Sequence, residues 1–216
     1  MGKMNSRQLF IEEAKRLELN FFNFSLVEDE ACNPYIEGRL HLPDEEGKFI
    51  DSYNIKIEVK DGYPNNLPLV YETAQRIPIN IDWHIFPDGH CCIVTPPEET
   101  LICKKGISLH KFITKYVLPY FHNQLFRELN GYFLHERSHG NEGIKEFFYS
   151  KFETLDSEKI STFLLFIAKK KEPKRTSSCF CGSGKKYRKC HRTLFKEFSI
   201  LTPKQLLLYS AIMYTS

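Results

Sequence analysis

The sequence contains no long apolar segment and only one tryptophan among its 216 residues. Its longest apolar run, residues 163–168, is far shorter than the roughly 20 residues of a membrane-spanning helix. The first ten residues also have no apolar core of the signal-peptide kind. These absences predict a cytoplasmic protein that does not have a membrane as a partner.

Aromatic residues are abundant, in contrast, with 18 Phe and 11 Tyr in a chain that is 42% hydrophobic. Such a composition buries a real core and excludes a mainly disordered chain. The seven cysteines are an odd number and are clustered along the chain. In a reducing compartment this distribution favours metal binding or thiol chemistry over a framework of disulfides.

Positive charge is concentrated in one segment, although the whole chain has a formal net charge of only +3. Residues 169–192 contain ten Lys or Arg and a single acid, Glu172, so the remainder of the chain is net negative. This change in composition predicts a module boundary near Lys169. The segment could contact nucleic acid or an acidic protein surface, or it could be a solvated linker around a small metal knuckle.

The order of predicted elements is a helix, antiparallel strands, an irregular cysteine-bearing segment and then further helices, which is typical of an α+β fold. Alternating or strand-like patterns predict strands at residues 35–42, 53–59 and 69–71. Helical periodicity and capping residues predict helices at residues 5–17, 108–129, 141–152, 154–170 and from 203 onward. The irregular segment between them covers residues 77–97, and Pro119 predicts a kink in the second helix.

Two adjacent cysteines, Cys91 and Cys92, lie in the irregular segment close to His84 and His90. A thiol acts as a nucleophile in its thiolate form, which nearby cationic or hydrogen-bonding groups stabilise. Gly89 permits a backbone geometry that would let another chain approach such a thiol. The same residues are also compatible with two packed cysteines beside a turn, because buried cysteine is common.

Two segments resemble the ubiquitin-conjugating-enzyme-like (UBC-like) family. Residues 62–70, Gly-Tyr-Pro-Asn-Asn-Leu-Pro-Leu-Val, resemble the family's Tyr-Pro-x-x-Pro-Pro segment, and residues 89–93, Gly-His-Cys-Cys-Ile, resemble its Gly-x-Ile-Cys-Leu signature. The resemblance covers about residues 1–152. It implies a UBC-like fold in which Cys92 is the catalytic nucleophile and Cys91 is the residue before it.

The chain departs from the family at several positions. The family's His-Pro-Asn triplet is absent, and the resemblance places His84 where the oxyanion-steadying Asn stands. His84 could donate the same hydrogen bond, or it could simply pack beneath the cysteine loop. These departures, and residues 130–140, are similar to divergent bacterial UBC-like proteins encoded in antiphage defence operons, including CBASS operons with a cGAS-like nucleotidyltransferase.

The resemblance implies a transferase activity. Cys92 would accept the C-terminal carboxyl of a protein donor, either a ubiquitin-like modifier or a cyclase, as a thioester and pass it to an amine or a thiol. A separate activating enzyme is then expected. Two other hypotheses remain: a non-catalytic UBC-like binding module, and a nucleic-acid- or ribosome-associated adaptor that acts through the basic segment.

A second group of cysteines has the spacing of a metal site, with a Cys-x-Cys pair followed after eight residues by Cys-His. The predicted ligands are Cys179, Cys181, Cys190 and His191. The pattern resembles the SEC-C motif, a zinc-binding tail found on the bacterial secretion ATPase and on many unrelated proteins. Four protein ligands close the coordination sphere, so a structural zinc is expected, and the alternative is a disordered basic tail with free cysteines.

These patterns together predict four regions. They are a UBC-like catalytic domain at residues 1–152, a helix and basic linker at 153–176, a SEC-C-like zinc knuckle at 177–193 and a C-terminal helix at 194–216.

Overall fold

The computed structural model describes residues 5–18, 23–29 and 32–215. It is an α+β structure, as predicted, and it divides into two compact units. The first unit comprises Met1–Val94 and Lys105–Glu136, and the second comprises Thr95–Lys104 and Arg137–Ser216.

The described residues form eight α-helical segments. They are α1 (Ser6–Glu18), α2 (Pro96–Lys105), α3 (Leu109–Phe112), α4 (Leu118–Asn130), α5 (Gly140–Phe152), α6 (Ser157–Ala168), α7 (Arg192–Phe198) and α8 (Pro203–Tyr214). No helix within the described part of the chain is both long and apolar enough to cross a bilayer.

The first unit contains a four-stranded antiparallel sheet in the order β1-β2-β3-β4. Its strands are β1 (Asn23–Val27), β2 (Tyr35–Pro43), β3 (Phe49–Glu58) and β4 (Leu69–Glu72). The three predicted strands are confirmed as β2, β3 and β4, and β1 is an additional strand that pairs with β2. The meander brings alternate residues of β2 and β3 onto one buried face.

That buried face, α1 and the helical segment α3–α4 provide the core of the first unit. Tyr53, Ile55 and Ile57 of β3 are almost completely buried, as are Phe10 and Ala14 of α1. Burial of this kind is the main stabilising contribution to such a unit, because each large apolar side chain contributes about 1.5–3 kcal/mol when removed from water.

The long helix that follows the cysteine segment begins and ends as predicted. The Ser108 side chain accepts a hydrogen bond from the Lys111 N–H at the start of α3, and Gly131 ends α4 in a left-handed conformation. The predicted disturbance at Pro119 has a different form. A π-helical turn at Ile113–Val117 joins α3 to α4 without a break in the helical backbone, and it lies directly before Pro119, which has no N–H to continue the regular helical hydrogen-bond pattern.

The second unit is helical and has its own aromatic core. Phe148 of α5, Phe163 of α6, Phe198 of α7 and Tyr209 of α8 belong to one buried cluster, which also contains Tyr187 from the predicted zinc knuckle. The basic segment is therefore not a free linker, because part of it is buried in this core.

The division into units differs from the predicted region boundaries. The predicted first domain ends at residue 152, whereas α5 packs with α6 and α8 in the second unit. The reason is that Ile144 and Phe148 of α5 are buried in the same cluster as Leu164 and Leu206. Helix α2, which the sequence pattern did not predict, belongs to this unit, and the predicted C-terminal helix at 194–216 is divided into α7 and α8.

Candidate functional site

The cysteine pair lies on a short loop that folds back on itself. A 3-10 turn at Ile81–Trp83 is capped by the Asn80 side chain, which accepts a hydrogen bond from the Asp82 N–H. His84 then adopts a left-handed conformation with φ of 54°. A second turn follows, in which the Gly89 N–H donates to the Phe86 carbonyl at 2.8 Å. The returning chain places Ile85 opposite Cys91.

Cys91 faces the interior of the first unit. Its N–H donates to the Val70 carbonyl of β4 at 2.7 Å, and the residue is only 5% exposed. Burial raises the pKa of the Cys91 thiol to about 12, although a hydrogen bond with Tyr120 acts in the opposite direction. A thiol in this environment stays protonated at neutral pH, and it is a poor nucleophile.

Cys92 is half-buried, in contrast to its neighbour. Its N–H donates to the His84 carbonyl at 2.7 Å, and its Sγ lies within 4.8 Å of a ring nitrogen of His84. The predicted catalytic residues Cys92 and His84 are therefore close together. Because the Cys92 N–H is already engaged, this amide is not available to stabilise an oxyanion at the thiol.

His84 is 6% exposed, and its ring packs edge-on against Phe133 with centroids 4.8 Å apart. The ring of His84 is therefore packed against Phe133 and also lies near the Cys92 thiol.

Two residues that the sequence analysis did not single out hold this loop in place. The Tyr120 hydroxyl donates to the His84 carbonyl at 3.0 Å, and Gln124 Nε2 donates to the Trp83 carbonyl at 2.7 Å and to the Tyr120 hydroxyl at 2.9 Å. Gln124 is completely buried on α4 next to Leu125. A glutamine on the apolar face of an amphipathic helix was the available signal, because a buried amide needs partners.

The second site is formed by the four predicted metal ligands, which the structure brings together. Their ligand atoms all lie within 4.8 Å of one another. The Cys181 and Cys190 sulfurs are 3.7 Å apart, and His191 Nδ1 lies 3.4 Å from Cys179 Sγ and 3.3 Å from Cys190 Sγ. Zinc bonds of 2.0–2.3 Å in a tetrahedron give ligand–ligand distances of about 3.5–3.8 Å. The donor set and its spacing therefore fit a zinc ion.

The loop that carries these ligands is built by backbone hydrogen bonds. The Cys179 N–H donates to the Lys185 carbonyl at 2.8 Å, and the Gly182 N–H donates to the Cys179 carbonyl at 3.2 Å. Gly182 and Gly184 both have positive φ values, 76° and 71°, which other residues adopt at a cost. These contacts bring the first cysteine pair back toward Cys190.

The pKa shifts within this site differ between the cysteines, since burial raises the pKa of Cys179. For Cys181, burial also raises the pKa, but hydrogen bonds with Ser183 and with the neighbouring cysteines outweigh it and bring the pKa to about 6. The Ser183 hydroxyl lies 3.2 Å from Cys181 Sγ and 3.4 Å from Cys190 Sγ. Such a cluster suits a cation, because a metal ion is bound by thiolates rather than thiols.

Aromatic rings surround the ligand cluster on the side of the core. His191 lies 5.0 Å from the ring of Phe163, and Phe180 stacks on Phe166 at 4.1 Å. Tyr187 is completely buried, and its hydroxyl donates to Glu172 at 3.4 Å. Burial and this carboxylate raise the pKa of Tyr187 to about 12. The ligand loop is therefore part of a packed structure.

Most cations of the basic segment face the solvent, but the Lys170 ammonium is bound, because its Nζ donates to the Ser199 and Leu201 carbonyls. Nine of its ten Lys and Arg residues are exposed, and the tenth, Arg192, is half-buried and forms an ion pair with Glu172 at 3.4 Å. An exposed group of like charges can attract a polyanion or an acidic surface.

Comparison with protein families shows that residues 175–192 match the SEC-C motif. The match contains all four ligand residues, and the motif is of a zinc-binding type. It covers a short segment and defines that segment rather than the class of the whole chain. A comparison with curated proteins gave no match.

Proposed function

We propose that this protein is a UBC-like transferase that forms a thioester on Cys92 with the C-terminus of a protein donor. The observation that carries the proposal is the contrast within the cysteine pair. Cys91 is buried and tied to β4, while Cys92 is half-buried with its Sγ within 4.8 Å of a His84 ring nitrogen. The helix, the antiparallel meander and the cysteine loop that follows them also agree with the order expected for the family.

In the first step, the Cys92 thiolate attacks the activated C-terminal carbonyl of the donor, and the activating group leaves. The donor is a ubiquitin-like modifier or a cyclase in an antiphage defence system, and a separate activating enzyme supplies the activated carbonyl. The acyl group then passes to an amine or a thiol. His84 donates a hydrogen bond to the oxyanion that forms in this second step, since the Cys92 amide is occupied by the His84 carbonyl.

We also propose that Cys179, Cys181, Cys190 and His191 hold one structural zinc ion. The four ligand atoms and their separations support this assignment, as does the SEC-C match. With four protein ligands, no coordination position remains for a substrate, so the ion would stabilise the second unit and would not take part in the thiol chemistry.

A second candidate function is an adaptor that binds nucleic acid or a ribosome through the basic segment. The nine exposed cations of residues 169–192 favour it. Binding of this kind should weaken steeply with salt, and it should be reduced when Lys185 and Lys186 are both replaced by Glu. Equal affinity at 50 mM and 200 mM salt would count against it.

The transferase is tested by trapping the thioester. The purified protein is incubated with the products of the neighbouring genes and ATP, quenched without reductant and analysed by intact mass spectrometry. We expect an adduct that is released by a thiol, is absent in Cys92→Ala and is retained in Cys91→Ala. The Cys92→Ser variant should form a thiol-resistant ester instead. An adduct that depends on Cys91, or no adduct with any candidate donor, would contradict the proposal.

A further inference from the structure

His90 lies on the same side of the loop as Cys92. The segment is extended here, because Tyr71 pairs with His90 and Ile85 pairs with Cys91. Successive side chains of an extended segment point in opposite directions, and Cys91 points into the core. His90 and Cys92 therefore share the outer face, with Cα atoms about 6.5 Å apart for two residues of extended chain.

The ring of His90 is held in one orientation by three neighbours. Its Nδ1 lies 2.5 Å from Asp88 Oδ1, and the His90 N–H donates to the same oxygen at 3.3 Å. The ring also stacks on Phe86, with centroids 4.3 Å apart and planes 25° apart, and its edge approaches Tyr71 at 6.4 Å. The side chain is 24% exposed, so it is ordered by contacts but open to solvent.

The contact with Asp88 decides which nitrogen of the ring is available. A carboxylate accepts a hydrogen bond, so Nδ1 carries the proton and Nε2 keeps a free lone pair. A carboxylate that orients an imidazole in this way is the usual arrangement for a general base. His84 is less suited to that task, because it is only 6% exposed.

We propose that Asp88 and His90 form a general-base dyad for the second half-reaction at Cys92. The inference rests on the proposed transferase function and extends it to the acceptor, which is a primary amine such as a lysine side chain. His90 is the catalytic base, and Asp88 is the residue that positions it.

The chemical step balances without an additional reactant. The amine nitrogen attacks the thioester carbonyl on Cys92, and His90 Nε2 takes a proton from that nitrogen as the N–C bond forms. The C–S bond then breaks, the electron pair leaves on Cys92 Sγ, and the proton held by His90 is passed to the thiolate or to water. The products are an amide and the free enzyme.

The experiment uses the full-length protein and a synthetic donor, so that it does not depend on the natural one. The probe is a short peptide ending in Gly-Gly and activated as a mercaptoethanesulfonate thioester, which charges Cys92 by thiol exchange. Charging and the subsequent discharge into free lysine are followed separately by mass spectrometry. His90→Gln and Asp88→Asn are compared with His41→Gln, a matched change at an exposed histidine of β2.

We expect His90→Gln to charge at the wild-type rate and to discharge into lysine about 100-fold more slowly, the lower end of the usual contribution of a general base. Asp88→Asn should slow discharge by a smaller factor, and His41→Gln should have no effect. Added imidazole should restore discharge in His90→Ala but not increase it in the wild-type protein, a readout that a purely structural role would not move.

The possible failures are distinguishable. If the wild-type protein does not charge at Cys92, the transferase proposal fails. If it charges but His90→Gln discharges at the wild-type rate, or if imidazole does not rescue His90→Ala, the dyad is refuted while the thioester stands. Thermal melts of all variants identify any that fail to fold, and Asp88→Asn then provides the decisive comparison.

Discussion

The adjacent cysteines should differ greatly in reactivity toward an alkylating reagent. Cys91 has a pKa raised to about 12 by burial, whereas an unperturbed thiol has a pKa of about 8.5. At pH 7.5 the thiolate fraction is then about 3 × 10⁻⁵ for Cys91 and about 0.09 for the ordinary thiol, a ratio of about 3,000. A more basic thiolate is intrinsically more nucleophilic, which recovers a factor of about 25–60.

The net expectation is that Cys91 reacts about 50–120-fold more slowly than a small reference thiol, before its steric protection is counted. The assay is brief treatment with limiting iodoacetamide at pH 7.5, with glutathione in the same tube as the reference. Tandem mass spectrometry of the peptide that contains Cys91 and Cys92 then assigns the label to one of the two sulfurs. Almost all of it should be on Cys92.

The variants make the test independent of peptide assignment. Cys91→Ala should leave the labelling of this peptide nearly unchanged, and Cys92→Ser should abolish most of it. Labelling of Cys91 at a rate close to that of glutathione would refute the reasoning. Such a result would mean that the hydrogen bond from the Cys91 amide to the Val70 carbonyl does not hold the side chain inward, and the register of the active cysteine would have to be shifted by one.

Three further predictions concern the metal site, the core of the second unit and an ion pair of the first unit. Elemental analysis should find one zinc per chain, and Cys190→Ala should lose it, because one of four ligands is removed. Phe198→Ala should reduce the free energy of unfolding of the second unit by about 3–5 kcal/mol in a denaturant titration, since this ring is completely buried. Asp51→Asn should destabilise the first unit at neutral pH. The hydrogen bond from Arg76 outweighs burial and lowers the pKa of Asp51, so the stabilisation is present above about pH 4 and is lost as pH falls through the folded-state pKa. The wild-type and Asn proteins should therefore converge in stability in acid, and a difference that grew on acidification would contradict this assignment.

Regular periodicity made part of the fold predictable. The alternation from Tyr53 to Val59 predicted β3, and the capping residues Ser108 and Gly131 marked the start and end of the long helical segment. In each case the local signal and the final packing agree, which is why a single sequence was sufficient.

Other elements lacked such a signal. Strand β1 has five residues, and only Phe24 among them is fully buried, so no alternation was visible. Helix α2 begins with Pro96 and Pro97, which suggested irregular chain, although proline is well tolerated in a first helical turn. Helix α7 has seven residues, which is too short for helical periodicity to be distinguished.

The candidate thiol site was also predictable only in part. Alternation predicts that only one of Cys91 and Cys92 faces outward, but it cannot decide which one does, because that depends on a hydrogen bond between residues distant in sequence. The bond from the Cys91 amide to the Val70 carbonyl of β4 makes that choice. Tyr120 and Gln124 were not predicted, because they too depend on hydrogen bonds between distant residues. Their partners are carbonyls of the loop about 40 residues earlier in the chain.

The ligand spacing predicted the four residues of the metal site but not their place in the second unit. Cys179 and Tyr187 belong to the same buried cluster as Phe163 and Phe198. The ligand loop is therefore packed into the core of the second unit and is not a separate tail. Binding free energy at a site that forms only on folding is also folding free energy. Zinc would therefore stabilise the packing of α6, α7 and α8 together with the zinc knuckle.

The role of the basic segment in the thiol chemistry needs a different test from truncation. A deletion after Ala168 would remove half of this core, so it cannot show whether the basic segment alone is dispensable for thioester formation on Cys92. Replacing its exposed cations other than Lys170 can, because those side chains lie outside the core, whereas Lys170 Nζ donates to the carbonyl of the buried Leu201 at 2.6 Å.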